Sequence, residues 1–291
     1  MDQKKYAQTI VKLLGFNGKF NLCLDRTNWK FGKKDINYLV LSWRINSQIS
    51  VPLLFVELDK AGNSNTAERI DLLNIFNEIF GFHRIKSLMA DREFVGREWF
   101  EMLNKNQSPY YIRVKENTLI PWAHKKTIHA KELFHHLKAS EMRLVEKEMY
   151  GGIVYFAGTP SKTGELVIIM TNQKLKAIQI LAKYRKRWSI EELFRKLKTS
   201  GFNWENTHMK KSERLISLLI ILSFALLIAF LMGQNDKVPW KKTLGYPLYS
   251  VFKQGLINFQ FFIAKSLKGL IQVIEKLLDN ASKITRLKSD G

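Results

Sequence analysis

Between Tyr184 and Lys198 the chain reads YRKRWSIEELFRKLK, which sets Tyr184, Arg187, Glu191 and Lys198 in the pattern Y-x2-R-x3-E-x6-K. Ile190, Leu193, Phe194 and Leu197 recur at helical spacing and predict a buried stripe. Glu191, Arg195 and Lys198 are three and four residues apart, so they share another face. A carboxylate on the first turn of a packed helix, ringed by cations, suits holding a metal ion or meeting a phosphate. Ser189 with Glu192 three residues on is a capping-box pattern that predicts the helix start. Alone, such a helix reads first as a solvated charged face beside an apolar one. The upstream carboxylates change that reading.

FNLCLD, Phe20–Asp25, predicts a buried strand ending in Asp25, and Ile85–Asp91 a second strand ending in Asp91. Between them lie two β-rich runs, Asn37–Ile45 and Gln48–Leu58, and an amphipathic helix to about Phe80. A helix to about Asn106 and the strand Tyr110–Val114 follow. A three-strand meander and then alternating helix and strand is the order of a ribonuclease H-like sheet, an α/β fold. There the first and fourth strands lie side by side, so Asp25 and Asp91 would meet at one sheet end, where open α/β sheets place ligands. Glu191 would arrive from a later helix. Three such carboxylates suit hard divalent cations. Two ions about 4 Å apart can activate an attacking oxygen and stabilise a leaving one in phosphoryl transfer. Asp also occurs at strand ends and turns for purely local reasons.

The other elements position this set. Residues 1–15 read as a short helix, and 1–114 and 173–233 as the two parts of the sheet domain. Residues 115–172 read as a β-rich insertion before Glu191, with a short helix around Lys131–Leu137 and a hairpin turn at Gly151-Gly152. His124, His129, His135 and His136 lack metal-ligand spacing and read as surface or DNA-facing. Trp122 and Tyr155 are read as core or surface residues rather than base-stacking ones. Leu215–Met232 is apolar apart from Ser217 and Ser223 and reads as a helix buried behind the sheet rather than a membrane span. Residues 234–291 form a helical C-terminal part, with a helical pattern over Phe262–Leu278.

The formal net charge is +21, from 47 Lys and Arg against 26 Asp and Glu, which calls for a polyanionic partner: nucleic acid or an anionic membrane surface. One cysteine, Cys23, excludes an intrachain disulfide and fits a reducing compartment. The amino terminus has no apolar signal core.

LCLDRTNW around Asp25, LMADREFVGREWF around Asp91, YRKRWSIEELFRKLKTSG around Glu191 and the later NWENTH resemble the motifs of bacterial DDE transposases of the insertion-sequence-four family, with its Tyr-Arg-Glu-Lys signature. The resemblance runs from about Phe16 to Gly233. It implies a ribonuclease H-like core, with Asp25, Asp91 and Glu191 as catalytic residues and ligands of two Mg2+ ions, Mn2+ substituting. It implies Tyr184, Arg187 and Lys198 on the phosphates of the transposon end; Trp188, which adjoins them, reads as packing. The implied activity is phosphodiester hydrolysis and strand transfer on double-stranded DNA, transposon ends and target, by a DNA-bound homodimer. The implied setting is the bacterial cytoplasm, at the nucleoid, with no membrane partner. Only about two dozen residues precede Asp25, where the family carries a DNA-end-binding domain, so a truncated copy or a separately encoded domain is expected. The alternative is a catalytically inactive DNA-binding remnant.

Overall fold

The computed structural model describes residues 2–277 apart from 124–125, 162, 235–237, 239, 242, 244, 266–267 and 270. Helix α1 (Gln3–Leu13) precedes a meander of β1 (Phe20–Phe31), β2 (Lys34–Arg44) and β3 (Ser50–Glu57). Helix α2 (Thr66–Phe80) leads to β4 (Ile85–Ala90), and α3 (Arg97–Lys105) to β5 (Tyr110–Val114). A small hairpin, β6 (Leu119–Pro121) with β7 (Thr127–His129), comes before β8 (Arg143–Met149), β9 (Gly152–Pro160) and β10 (Leu166–Thr171). Helices α4 (Ala177–Arg185), α5 (Trp188–Lys198), α6 (Ser212–Gln234) and α7 (Val251–Lys265) follow.

The result is a large mixed sheet flanked by helices, with strand order β3-β2-β1-β4-β5-β10-β9-β8. Neighbours β1 and β4, and β4 and β5, are parallel, as crossover helices require; the other pairs are antiparallel. Ile36–Trp43 of β2 is buried throughout, the mark of a strand covered on both faces. The β-rich stretch after β5 adds its three long strands to this same sheet through β10 against β5. Its hairpin falls where Gly151-Gly152 predicts, with Tyr150 and Gly151 both at positive φ, as a tight primed turn demands. The predicted short helix around Lys131–Leu137 is a single 3-10 turn, Ala130–Leu133.

Three expectations need correction. Strand β1 does not end at Asp25 but continues to Phe31, because Gly32 at φ +60° turns it directly into β2, and Asp25 pairs with Val40 in mid-ladder. Ser189 is not an N-cap. Lys186 and Arg187 already have helical dihedrals, and short-range bonds such as Arg187 N–H to Tyr184 O and Ser189 N–H to Lys186 O carry α4 into α5 without the extended residue a cap needs. The tail helix starts at Val251, earlier than Phe262, because it is held against α6.

That contact is close. A Cβ on Gly255 would lie 1.6 Å from Ala229 O, and one on Gly233 1.9 Å from Val251 O, so the two helix backbones touch where both lack side chains. Helix α6 is long and apolar enough to cross a membrane by length and composition. It buries Leu215, Leu219, Leu226 and Phe230 and packs on β3 and α7, while Ile221 stays exposed.

Candidate active site

Strands β1 and β4 run parallel in register, with Leu24 beside Ala90, so Asp25 and Asp91 are the next residues on adjacent strands. Asp91 itself falls one residue past β4, where its carbonyl accepts from Phe94 N–H at 3.0 Å and starts the turn into α3. Across them come the end of α4, with Tyr184, and the first turn of α5, with Glu191. Ile190, Leu193 and Leu197 are buried and seat α5 on the sheet; Phe194, expected in the same stripe, is only partly buried. This packing fixes the face that carries Glu191.

Arg187 ties the set together. Its Nη1 donates to Asp25 Oδ2 at 3.2 Å, and its Nη2 donates to Glu191 Oε1 one turn along α5. Tyr184 Oη donates to Asp91 Oδ1 at 3.2 Å. The guanidinium lies 5.8 Å from the Tyr184 ring centre. All three expected carboxylates are thus held by members of the Tyr-Arg-Glu-Lys set: two by one cation, one by the neighbouring phenol.

The electrostatics follow from burial. Asp25 is pushed up to about 6, chiefly because burial disfavours its charged form; the Arg26 N–H bond and Arg187 oppose this, while Glu93 and Asp91 reinforce it. Burial alone would lower the Arg187 pKa, but Tyr184, Asp25, Asp91 and Glu191 outweigh it and hold the group above its ordinary value. Burial raises the Tyr184 hydroxyl, which stays a neutral donor at neutral pH.

Lys198 stands apart from the carboxylates. Its Nζ donates to Asn28 O at 3.0 Å, lies 3.3 Å from Glu205 and sits over the Trp29 ring. It lines a hollow of about 360 Å³ with Asp25, Glu191 and Arg195. Among the described residues, no group of three or more His, Cys, Asp or Glu side chains stands arranged to hold a metal ion.

Several participants have no role in the sequence reading. Arg26 donates to Asn37 Oδ1 and Asn63 Oδ1, both at 3.1 Å, and approaches Glu93 at 3.4 Å, bracing the strand beside Asp25. Cys23 Sγ lies 3.5 Å from Ser189 Oγ, where α5 meets β1. Only adjacency to the aspartates, in DRTN and DREF, could have flagged Arg26 and Glu93. Trp188 is not packing: it is 60% exposed. His129 Nδ1 meets Asn117 O, the His135 and His136 rings lie tilted against each other at the surface, and His124 lies outside the described residues. Trp122 is exposed beneath the Lys147 ammonium, and Tyr155 is buried.

Comparison with known proteins places the chain in a family. Residues 22–228 match the transposase DDE domain, a span that contains all six residues of the expected site. No curated protein matches the chain. Among solved structures, the chain is similar to piggyBac transposase in its synaptic complex with hairpin DNA, at 9% identity and a TM-score of 0.47, covering 94% of this chain and 55% of that one. The chain therefore spans about half the length of that protein. With the match extending over most of its 291 residues, the chain belongs to the transposase DDE domain family.

Proposed function

We propose that this chain is a DNA transposase of the insertion-sequence-four type, hydrolysing a phosphodiester at a transposon end and joining the freed 3′-hydroxyl to a second strand. Asp25, Asp91 and Glu191 are the reacting centre. The observation that carries this reading is the Arg187 guanidinium shared by Asp25 and Glu191, with Tyr184 on Asp91 beside it. Carboxylates from β1, from the end of β4 and from α5 gather around one positive charge.

By their chemistry, though not in the arrangement described above, these residues suit a divalent cation. The donors are all hard oxygens, and a cation, here a guanidinium, already lies between two of them. Asp25, Asp91 and Glu191 would hold two Mg2+ ions, which Mn2+ can replace, and these would supply charge stabilisation and an activated oxygen nucleophile. The protein's own groups do the rest. Tyr184 presents a neutral hydroxyl for a phosphate oxygen. Arg187 and Lys198 neutralise the backbone near the cut. Asp25 is partly buried, so water screens its charge less than it would on an open surface.

In this reading residues 1–114 and 173–233 form a ribonuclease H-like core, 115–172 the insertion before Glu191 and 234–291 a helical tail. The working form is a dimer on DNA, in the bacterial cytoplasm, that takes its partner DNA from the transposon ends and the target. The second reading, a DNA-binding remnant that does not cut, draws on Arg187 itself, which neutralises two of the carboxylates. Incubation of the chain with supercoiled plasmid and Mn2+ separates them: nicking supports the transposase, and retardation without nicking supports the remnant.

A further inference from the structure

Helix α5 presents a second face. Trp188, Glu192, Arg195 and Lys196 line a groove of about 850 Å³, closed on its other sides by the β2–β3 turn and the start of α7. Six cations reach it: Arg44, Arg185, Lys186, Arg195, Lys196 and Lys253. Glu192 is the single acidic residue in the lining, and it is paired with Arg195. Among the described residues, none of the other five cations has a carboxylate within ion-pair distance. Lys196 spends its ammonium on the Gln48 carbonyl.

Such a cluster is costly without a counter-ion. Burial lowers the Lys186 pKa, and its cationic neighbours Arg44, Lys183 and Lys86 lower it further. Burial lowers Lys196 and Arg44 as well. Repulsion of this kind is relieved by a line of negative charges, and a sugar–phosphate backbone supplies one. The groove is concave, which a planar lipid surface cannot enter. Arg195 lines both this groove and the hollow that holds Asp25 and Glu191, so the two run side by side along α5.

We propose that this groove seats the sugar–phosphate backbone of a duplex DNA segment other than the phosphate engaged by the carboxylates. The inference rests on the transposase reading for its choice of DNA, but not on cleavage. A backbone held here runs along α5 beside the reacting centre and keeps a second stretch of DNA next to it.

The test uses the full chain in EDTA, with affinity for a labelled duplex measured over a salt series. Reversing Arg185, Lys186 and Lys253 together to Glu should weaken binding at least tenfold and make the salt slope shallower by about 2 to 3, at about 0.9 per phosphate lost. All three side chains are exposed, so the fold should be kept. If thermal unfolding shows otherwise, the Gln triple is read instead, with the same change of slope. Lys5, Lys12 and Lys105, also exposed and away from the groove, serve as a control triple to Gln that should leave the slope unchanged. An unchanged slope in the groove variant, an equal change in the control, or loss of binding only to phosphatidylserine vesicles overturns the proposal. A protein that never nicks but shows the slope change loses only the catalytic reading; one that nicks while the groove variant keeps its slope loses only the groove.

Discussion

Arg187 Nη1 lies 3.2 Å from Asp25 Oδ2, while the other arm of the same guanidinium holds Glu191. The residue expected on a DNA phosphate thus stands on the carboxylates.

Arg187→Ala should therefore destabilise the metal-free protein, because it strands Asp25 and Glu191 with no cation between them. The pair is mostly shielded, so a loss of about 2–4 kcal/mol is expected in denaturant unfolding with EDTA. Mg2+ should then stabilise the variant more than the wild type, since no guanidinium has to be displaced. No loss in EDTA would mean that the pairing contributes little.

Asp25 sets a pH dependence. With its folded pKa raised to about 6, the native state holds a proton that the unfolded chain has already released above about pH 4. Stability should fall as pH rises from about 4 to about 6 and change no further from this group above that, with a ceiling of about 3 kcal/mol. Asp25→Asn, measured by thermal unfolding in EDTA across this window, should lose that slope. An identical slope in the variant would put the titration elsewhere.

Tyr184→Phe removes the donor to Asp91 Oδ1 and leaves the ring beside Arg187. Unfolding should show a small loss, about 0.5–1.5 kcal/mol, while nicking should fall by a larger factor if the hydroxyl also meets phosphate. Equal activity in the two proteins would reduce Tyr184 to a packing residue.

The central adjacency is legible in the sequence; its local details are not. FNLCLD and IKSLMAD predict two apolar strands that each bring an aspartate to one sheet end, and β1 and β4 do lie parallel in that register. The length of β1 is not visible there, because it depends on how Gly32 pairs two strands whose outer halves are polar. The S-x-x-E pattern at Ser189 misleads because capping requires an extended residue, and short-range backbone bonds carry 186–187 in helical conformation from α4 into α5. The Arg187 bridge is hidden for another reason: the spacing of Tyr, Arg, Glu and Lys shows that they share a region, not which of them pair with the carboxylates.

Helices α6 and α7 offer a test of the fold. Gly255→Val would drive a branched side chain into the α6 backbone at Ala229. The helices must separate, and a loss of about 3 kcal/mol or more is expected in thermal or denaturant unfolding, at the upper end for overpacking. A variant of unchanged stability would mean that the two backbones do not meet at these glycines.

The shared centre is tested most directly by Mg2+-dependent nicking of supercoiled plasmid by the wild type and by Asp25→Ala, Asp91→Ala and Glu191→Ala, each first shown to be folded by its thermal transition. Nicking by the wild type and its loss in all three variants is the predicted result. Undiminished nicking by a folded Asp91→Ala protein would contradict it.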